Sequence, residues 1–158
     1  MMKKIILILV ILIGVVYISS KFINFSGNDE IKDSPFQKEY LDKNGIVVVN
    51  IWATWCKPCL SEMPLFEKLI SENRDVKFVF ISIDEDQQKL KEYLSKNKIN
   101  DITFSNKNYI KPIRSFLGSG DIVEVIPETF IIKNGKVVDK SVGGIEYQEF
   151  MDKLQSFK

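Results

Sequence analysis

Both cysteines of this 158-residue chain fall in one five-residue stretch, Trp55-Cys56-Lys57-Pro58-Cys59. The stretch sits where a buried strand must hand over to a helix. Ile46 to Trp52 is β-branched and almost wholly apolar, the pattern of a strand covered on both faces. From Leu60 to Asn73, helix formers carry apolar residues at helical spacing. A strand buried on both sides needs layers on both sides, so the chain is held to an α/β architecture. A Cys-x-x-Cys pair at such a junction is a dithiol built to open and close.

The spacing carries its own chemistry. Cysteines three apart on a helical turn have β-carbons about 5–6 Å apart, which small adjustments bring to disulfide geometry. Unpaired N–H groups and a partial positive charge at a helix N-terminus favour thiolate over thiol. Cys56, nearest that end, is expected to be the exposed nucleophile, and Cys59, a turn deeper, the resolving thiol. Pro58 suits a first helical turn, where its missing N–H costs nothing, and Lys57 adds a cation nearby. Trp55 is expected to flank and shield Cys56, and Trp52 to lie in the core.

Composition excludes several rival chemistries. The chain has no histidine, which removes a His general base, a Cys-His pair and most transition-metal sites. Zinc would need two further Cys or His ligands that are absent, so no metal site is expected. A structural bridge across four residues constrains little of the unfolded chain. Residue 60 is Leu, so the pair is not a haem-attachment motif.

Lys3 and Lys4 precede a fourteen-residue apolar run, Ile5 to Ile18, interrupted by Gly14 and Tyr17. As a helix that run would be about 21 Å long, short of the roughly 30 Å hydrocarbon core. It can span if Lys21 snorkels and Phe22, Ile23 and Phe25 sit at the far interface. The alternative is a cleaved signal peptide, although Ile18-Ser19-Ser20 is a poor cleavage site. An uncleaved anchor over 1–23 is the favoured reading, followed by a polar linker over 24–33 and a folded domain over 34–158. Either way the domain lies outside the cytoplasm, in a periplasm or on an outer face, and the favoured anchor makes the chain single-pass at the cell membrane. Setting aside Lys3, Lys4 and Lys21 turns the net charge of +1 slightly negative, so nucleic acid is not an expected partner.

Further along, Val76 to Ile83 reads as a second strand, parallel to the first through a right-handed crossover. Asp86 to Lys96 reads as a helix. Residues 98–124 are hard to read beyond a short helix, Ile110 to Leu117, ended by Gly118. Asn134-Gly135 between Thr129–Ile132 and Lys136–Val138 predicts a hairpin. A closing helix follows Gly143-Gly144, with Tyr147, Phe150, Met151 and Leu154 as its apolar stripe.

The run from Val49 to Pro64, with Trp52-Ala53-Thr54-Trp55-Cys56-Lys57-Pro58-Cys59 at its centre, resembles the active-site signature of the TlpA/ResA-like branch of the thioredoxin superfamily. Val125-Ile126-Pro127-Glu128-Thr129-Phe130 extends the likeness, which covers most of residues 35–155. The resemblance implies a thioredoxin-like fold, a central mixed sheet flanked by helices behind an N-terminal membrane-anchor helix. It implies a cis peptide at Pro127, beside the cysteine pair. It also implies that Ile126 offers its backbone to an extended client segment, as an added strand would. Glu62, one turn after Cys59, is implied as the group that takes the Cys59 proton, because Asn50 stands where thioredoxins proper carry a buried acid. Glu128 is a second candidate for that task. The alternative for each is a solvated surface carboxylate. Pro64 is read as shaping the helix. The expected activity is reduction of disulfides in client proteins such as apocytochrome c, during cytochrome c maturation. Electrons would come from a membrane thiol donor, with the Cys56–Cys59 disulfide as the only redox group and no further cofactor, in a monomer. Rival readings are an oxidant or isomerase of the same fold, a thiol peroxidase, whose Pro-x-x-x-Thr-x-x-Cys pattern is missing, and a metal carrier, which would want a histidine.

Overall fold

The computed structural model of the chain describes residues 31–119 and 125–158. The segment read as an anchor, 1–23, and most of the linker lie outside them. Among the described residues, no helix is long and apolar enough to cross a membrane. Ile31, inside the stretch read as linker, is buried and joins a core cluster with Phe36 and Ile113. A single isoleucine among polar neighbours has no periodicity that marks it as core.

Five strands form one mixed sheet in the order β3-β2-β1-β4-β5. Strand β1 (Ile46–Trp52) leads into helix α1 (Lys57–Glu72), which returns to β2 (Val76–Ser82), parallel to β1. Helix α2 (Gln87–Leu94) and a 3-10 turn over Lys98–Ile102 precede a two-residue edge strand β3 (Thr103–Phe104), also parallel. Helix α3 (Lys107–Leu117) then crosses back towards β4 (Glu128–Lys133), antiparallel to β1. The hairpin to β5 (Lys136–Val142) and helix α4 (Tyr147–Ser156) close the chain.

Strand alternation explains the apolar run in β1, since successive side chains face opposite layers. Ile46, Val48 and Trp52 pack with Met63, Phe66 and Leu69 of α1 and with Phe150 and Leu154 of α4. Val47, Val49 and Ile51 pack on the other side with Phe36, Ile113, Leu117 and Phe130. The one polar side chain of β1, Asn50, faces the α1 layer. Helix α3 begins three residues before the expected Ile110, because the Asn106 side chain caps it by accepting from Asn108 N–H. Pro112 lies inside α3, within the stretch that the sequence already reads as helix. Gly118 ends the helix in the left-handed region, as the sequence predicts.

The predicted hairpin turn is present. Asn134 and Gly135 both have positive φ, 51° and 74°, as a type I′ turn requires. Asn134 also exchanges two 3.0 Å hydrogen bonds with the backbone of Gly45, tying the hairpin to the entry of β1. A Cβ on Gly135 would lie 2.8 Å from the Leu41 carbonyl oxygen. Gly135→Ala is therefore expected to lower unfolding free energy by about 2 kcal/mol in urea titration. A loss within about 0.5 kcal/mol, typical of open surface sites, would contradict this packing.

Candidate active site

Cys56 is the N-cap of α1, and its sulfur accepts from the Cys59 N–H at 3.2 Å. The two cysteines are joined in a disulfide, with Cα atoms 5.3 Å apart. Lys57 and Pro58 between them face solvent. The strand-to-helix turn that carries the pair is held from below by Asp84, in the loop after β2. Its carboxylate accepts from Thr54 N–H at 3.0 and 3.1 Å and from Thr54 Oγ–H at 2.6 Å. The Ser82 hydroxyl completes its coordination at 2.9 Å.

The cysteines differ in exposure in the expected order, although Cys56 is less open than expected: it is 5% exposed and Cys59 is fully buried. Exchange with an outside thiol or disulfide is thus confined to the Cys56 sulfur, since access decides which sulfur reacts. Trp55 stands 61% exposed beside it, while Trp52 is wholly in the core with its ring against Tyr93. The Ile126–Pro127 peptide is cis. It sits directly across from the pair, with Ile126 O 3.8 Å from Cys56 Sγ.

Glu62 is buried, one turn after Cys59 on the same inward face of α1. A surface carboxylate is excluded for it. Oε1 accepts from Asn50 Nδ2 at 3.1 Å, and Oε2 accepts from Ile145 N–H at 3.3 Å. Burial raises the cost of its charge more than these two donors lower it, so the carboxyl is pushed from 4.5 up to about 7. A group that titrates there can hold or release a proton under ordinary conditions, one turn from Cys59. Asn50 uses the other hydrogen of the same amide nitrogen to reach Thr129 Oγ1 at 3.0 Å.

Glu128 is also buried, so a surface carboxylate is excluded for it too, but it does not join this cluster. Alternation along β4 turns it to the opposite face from Thr129. There its carboxylate accepts from the Ser119 hydroxyl and pairs with Lys140 Nζ at 2.8 Å. The sequence placed Cys56, Cys59, Glu62, Ile126 and Pro127 together, and the structure does the same. It separates Glu128 from them and adds Asp84, Asn50, Thr129 and the Gly144–Ile145 backbone. Asp84 carried a faint signal, an acid just past the end of a buried strand. The bridging part played by Asn50 carried none.

A family model described as thioredoxin-like matches residues 44–137. The thioredoxin of Chlorobaculum thiosulfatiphilum is 31% identical over 117 residues, which cover 73% of this chain and 82% of that protein. The thiol-disulfide oxidoreductase ResA of Bacillus cereus is 33% identical over 98 residues, 61% of this chain and 54% of the relative. This chain therefore matches about half the length of that ResA. Among solved structures, MTB dsbF in its mixed oxidized and reduced forms aligns with a TM-score of 0.60 at 19% identity, over 73% of this chain and 82% of that one. The exposed lipoprotein thioredoxin Etrx1 of Streptococcus pneumoniae strain TIGR4 aligns at 0.61 and 18%, over 73% and 87%. At such identities these two speak for the fold alone.

The raised Glu62 carboxyl has a consequence for stability. In the native protein it keeps its proton until about pH 7, whereas its ordinary value is 4.5. Between those limits the native state binds more protons than the unfolded chain, so stability falls as pH rises through the window. Glu62→Gln removes the titration. Melting curves of the two oxidised proteins are expected to keep a constant gap below pH 4.5. The gap then shifts in favour of the variant up to about pH 7 and is level above it. A gap that does not change with pH contradicts the assignment.

Proposed function

The chain belongs to the thioredoxin-like family, as a TlpA/ResA-like thiol–disulfide oxidoreductase, and from that premise we propose that it reduces disulfides of client proteins outside the cytoplasm. The observation that carries the reading is the buried Glu62 carboxyl one turn below the Cys56–Cys59 disulfide.

In the reduced protein, Cys56 thiolate attacks a client disulfide, forming a mixed disulfide and releasing one client sulfur as thiolate. Cys59 then gives its proton to the Glu62 carboxylate, and its sulfur attacks Cys56. That step forms the Cys56–Cys59 bond and releases the second client thiolate. The client has gained two electrons and the protein has lost two. A thiol donor in the membrane returns them, since an oxidising compartment has no cytoplasmic reducing pool. No cofactor beyond the cysteine pair takes part.

The reductive direction has a physical support. Strong oxidants of this chemistry stabilise their reduced form, with the nucleophile held as thiolate. Here an ionisable carboxyl one turn from Cys59 repels a thiolate on either sulfur, which favours the disulfide and lets the dithiol give up electrons. Tethering by Ile5 to Ile18, extracytoplasmic location and clients such as apocytochrome c in cytochrome c maturation are supported by the charge pattern around that run and by the resemblance of the motif to tethered reductases.

Two measurements test the reading. Cys59→Ser leaves Cys56 able to attack but without a resolving thiol, so mixed disulfides with clients are expected to accumulate on non-reducing gels. Absence of any trapped species, while the wild type exchanges, would reverse the roles of the cysteines. Equilibration of the wild type with dithiothreitol is expected to give a potential nearer thioredoxin's about −270 mV than the about −120 mV of a strong oxidant. A value near the latter would replace the reductase with the oxidant of the same fold.

A further inference from the structure

We propose that Glu128 is a positioning residue: together with Ser119 and Lys140 it clamps the chain so that Ile126 is presented correctly to a client. The proposal rests on the reading above, in which the Ile126 backbone pairs with the client segment.

Glu128 is the first residue of β4, immediately after cis Pro127, and is 4% exposed. Both of its carboxylate oxygens are engaged. Oε2 accepts from the hydroxyl of Ser119, two residues past the end of α3, and Oε1 pairs with Lys140 of β5 at 2.8 Å. Lys140 donates to Gly118 O at 2.9 Å as well, and its ammonium lies over the Phe130 ring, 5.3 Å from the centroid. One carboxylate and one ammonium thus join the C-terminal end of α3 to two strands.

The surroundings make stability a poor explanation. This face is otherwise apolar, formed by Val49, Ile51, Phe130 and Ile132. Glu128 is buried but the Lys140 side chain is 35% exposed, and an ion pair with one partner reaching water adds little to stability. What charge-assisted hydrogen bonds add is direction. Residue 127 is held in a second direction, through its carbonyl, by Gly143 N–H at 2.8 Å. Residue 129 is held in a third by Asn50, on the opposite face of the sheet. Three successive residues are anchored to three different parts of the fold, immediately beside Ile126, whose carbonyl oxygen lies 3.8 Å from the Cys56 sulfur. With both oxygens engaged away from the dithiol, Glu128 takes no part in the Cys59 proton transfer.

The test uses the full chain with insulin as the disulfide-bearing protein and a thiol reductant as electron source. Glu128→Gln is expected to raise KM for insulin about tenfold while kcat at saturation holds within about twofold, the signature of lost client positioning. Ser119→Ala, which leaves the ion pair in place and guards against a misfolded Glu128 variant, is expected to move KM in the same direction by less. The pH–rate inflection at about 7, set by Glu62, is expected to persist in both. A drop in kcat at constant KM, or loss of the inflection in Glu128→Gln, would make Glu128 a proton-transfer group and overturn the proposal. Unchanged KM in both variants overturns it too. A wild type that reduces no insulin at all overturns the functional reading first, and this inference with it.

Discussion

A single amide nitrogen joins the two halves of this site. Asn50 Nδ2 donates at 3.1 Å to Glu62 on α1, the helix that carries the cysteines. It donates at 3.0 Å to Thr129 on β4, the strand that follows the cis proline. Any side chain at position 50 faces the buried Glu62, so the choice there is narrow. Valine, the residue type that dominates the strand before it, would leave the carboxyl without a buried side-chain donor. Aspartate would place a second carboxylate against it and drive one of the two far up. Asparagine supports one titrating group and adds no competing charge. Its Oδ1 has no hydrogen-bond partner among the described residues.

From that link the rest of the site follows. Asp84 holds the turn below the disulfide through Thr54, so the start of α1 is set by both the loop after β2 and the strand before it. The connection from β5 to α4 reaches the same centre, with Gly143 N–H on Pro127 O and Ile145 N–H on Glu62. The cysteine pair, Glu62 and the segment around the cis proline are therefore parts of one hydrogen-bonded assembly. Cys56 reaches the surface beside the exposed ring of Trp55, and Ile126 and the Gly143–Ile145 turn next to it are also partly open to solvent.

Much of this could be read from the residues because local and long-range demands coincide. The apolar run of β1, the Cys-x-x-Cys at its end, Asn134-Gly135 and the stripe on α4 each carry a periodicity or turn chemistry that one element type satisfies. The stretch from Lys98 to Leu117 could not be read so well. Its edge strand is two residues long, and Pro112 sits inside a helix that depends on the Asn106 cap. Ile31 gave no warning of its burial. The two glutamates both stand next to active-site residues; the resemblance puts Glu62 first and Glu128 second for the Cys59 proton, and strand alternation sends Glu128 to one face while helical spacing keeps Glu62 on the other. Hydrogen bonds between residues far apart in the chain, such as Asn50 to Thr129 or Ser119 to Glu128, leave no trace in spacing.

Proton transfer from Cys59 requires Glu62 to be a buried carboxyl that changes its charge near neutrality. Infrared titration of the oxidised protein, with the Glu62→Gln variant subtracted, isolates the carbonyl band of that one protonated carboxyl. The band is expected to persist through pH 6 and to vanish with a midpoint at about 7. A midpoint near the ordinary 4.5, or no difference band at all, would leave Cys59 without its proton acceptor and contradict the mechanism.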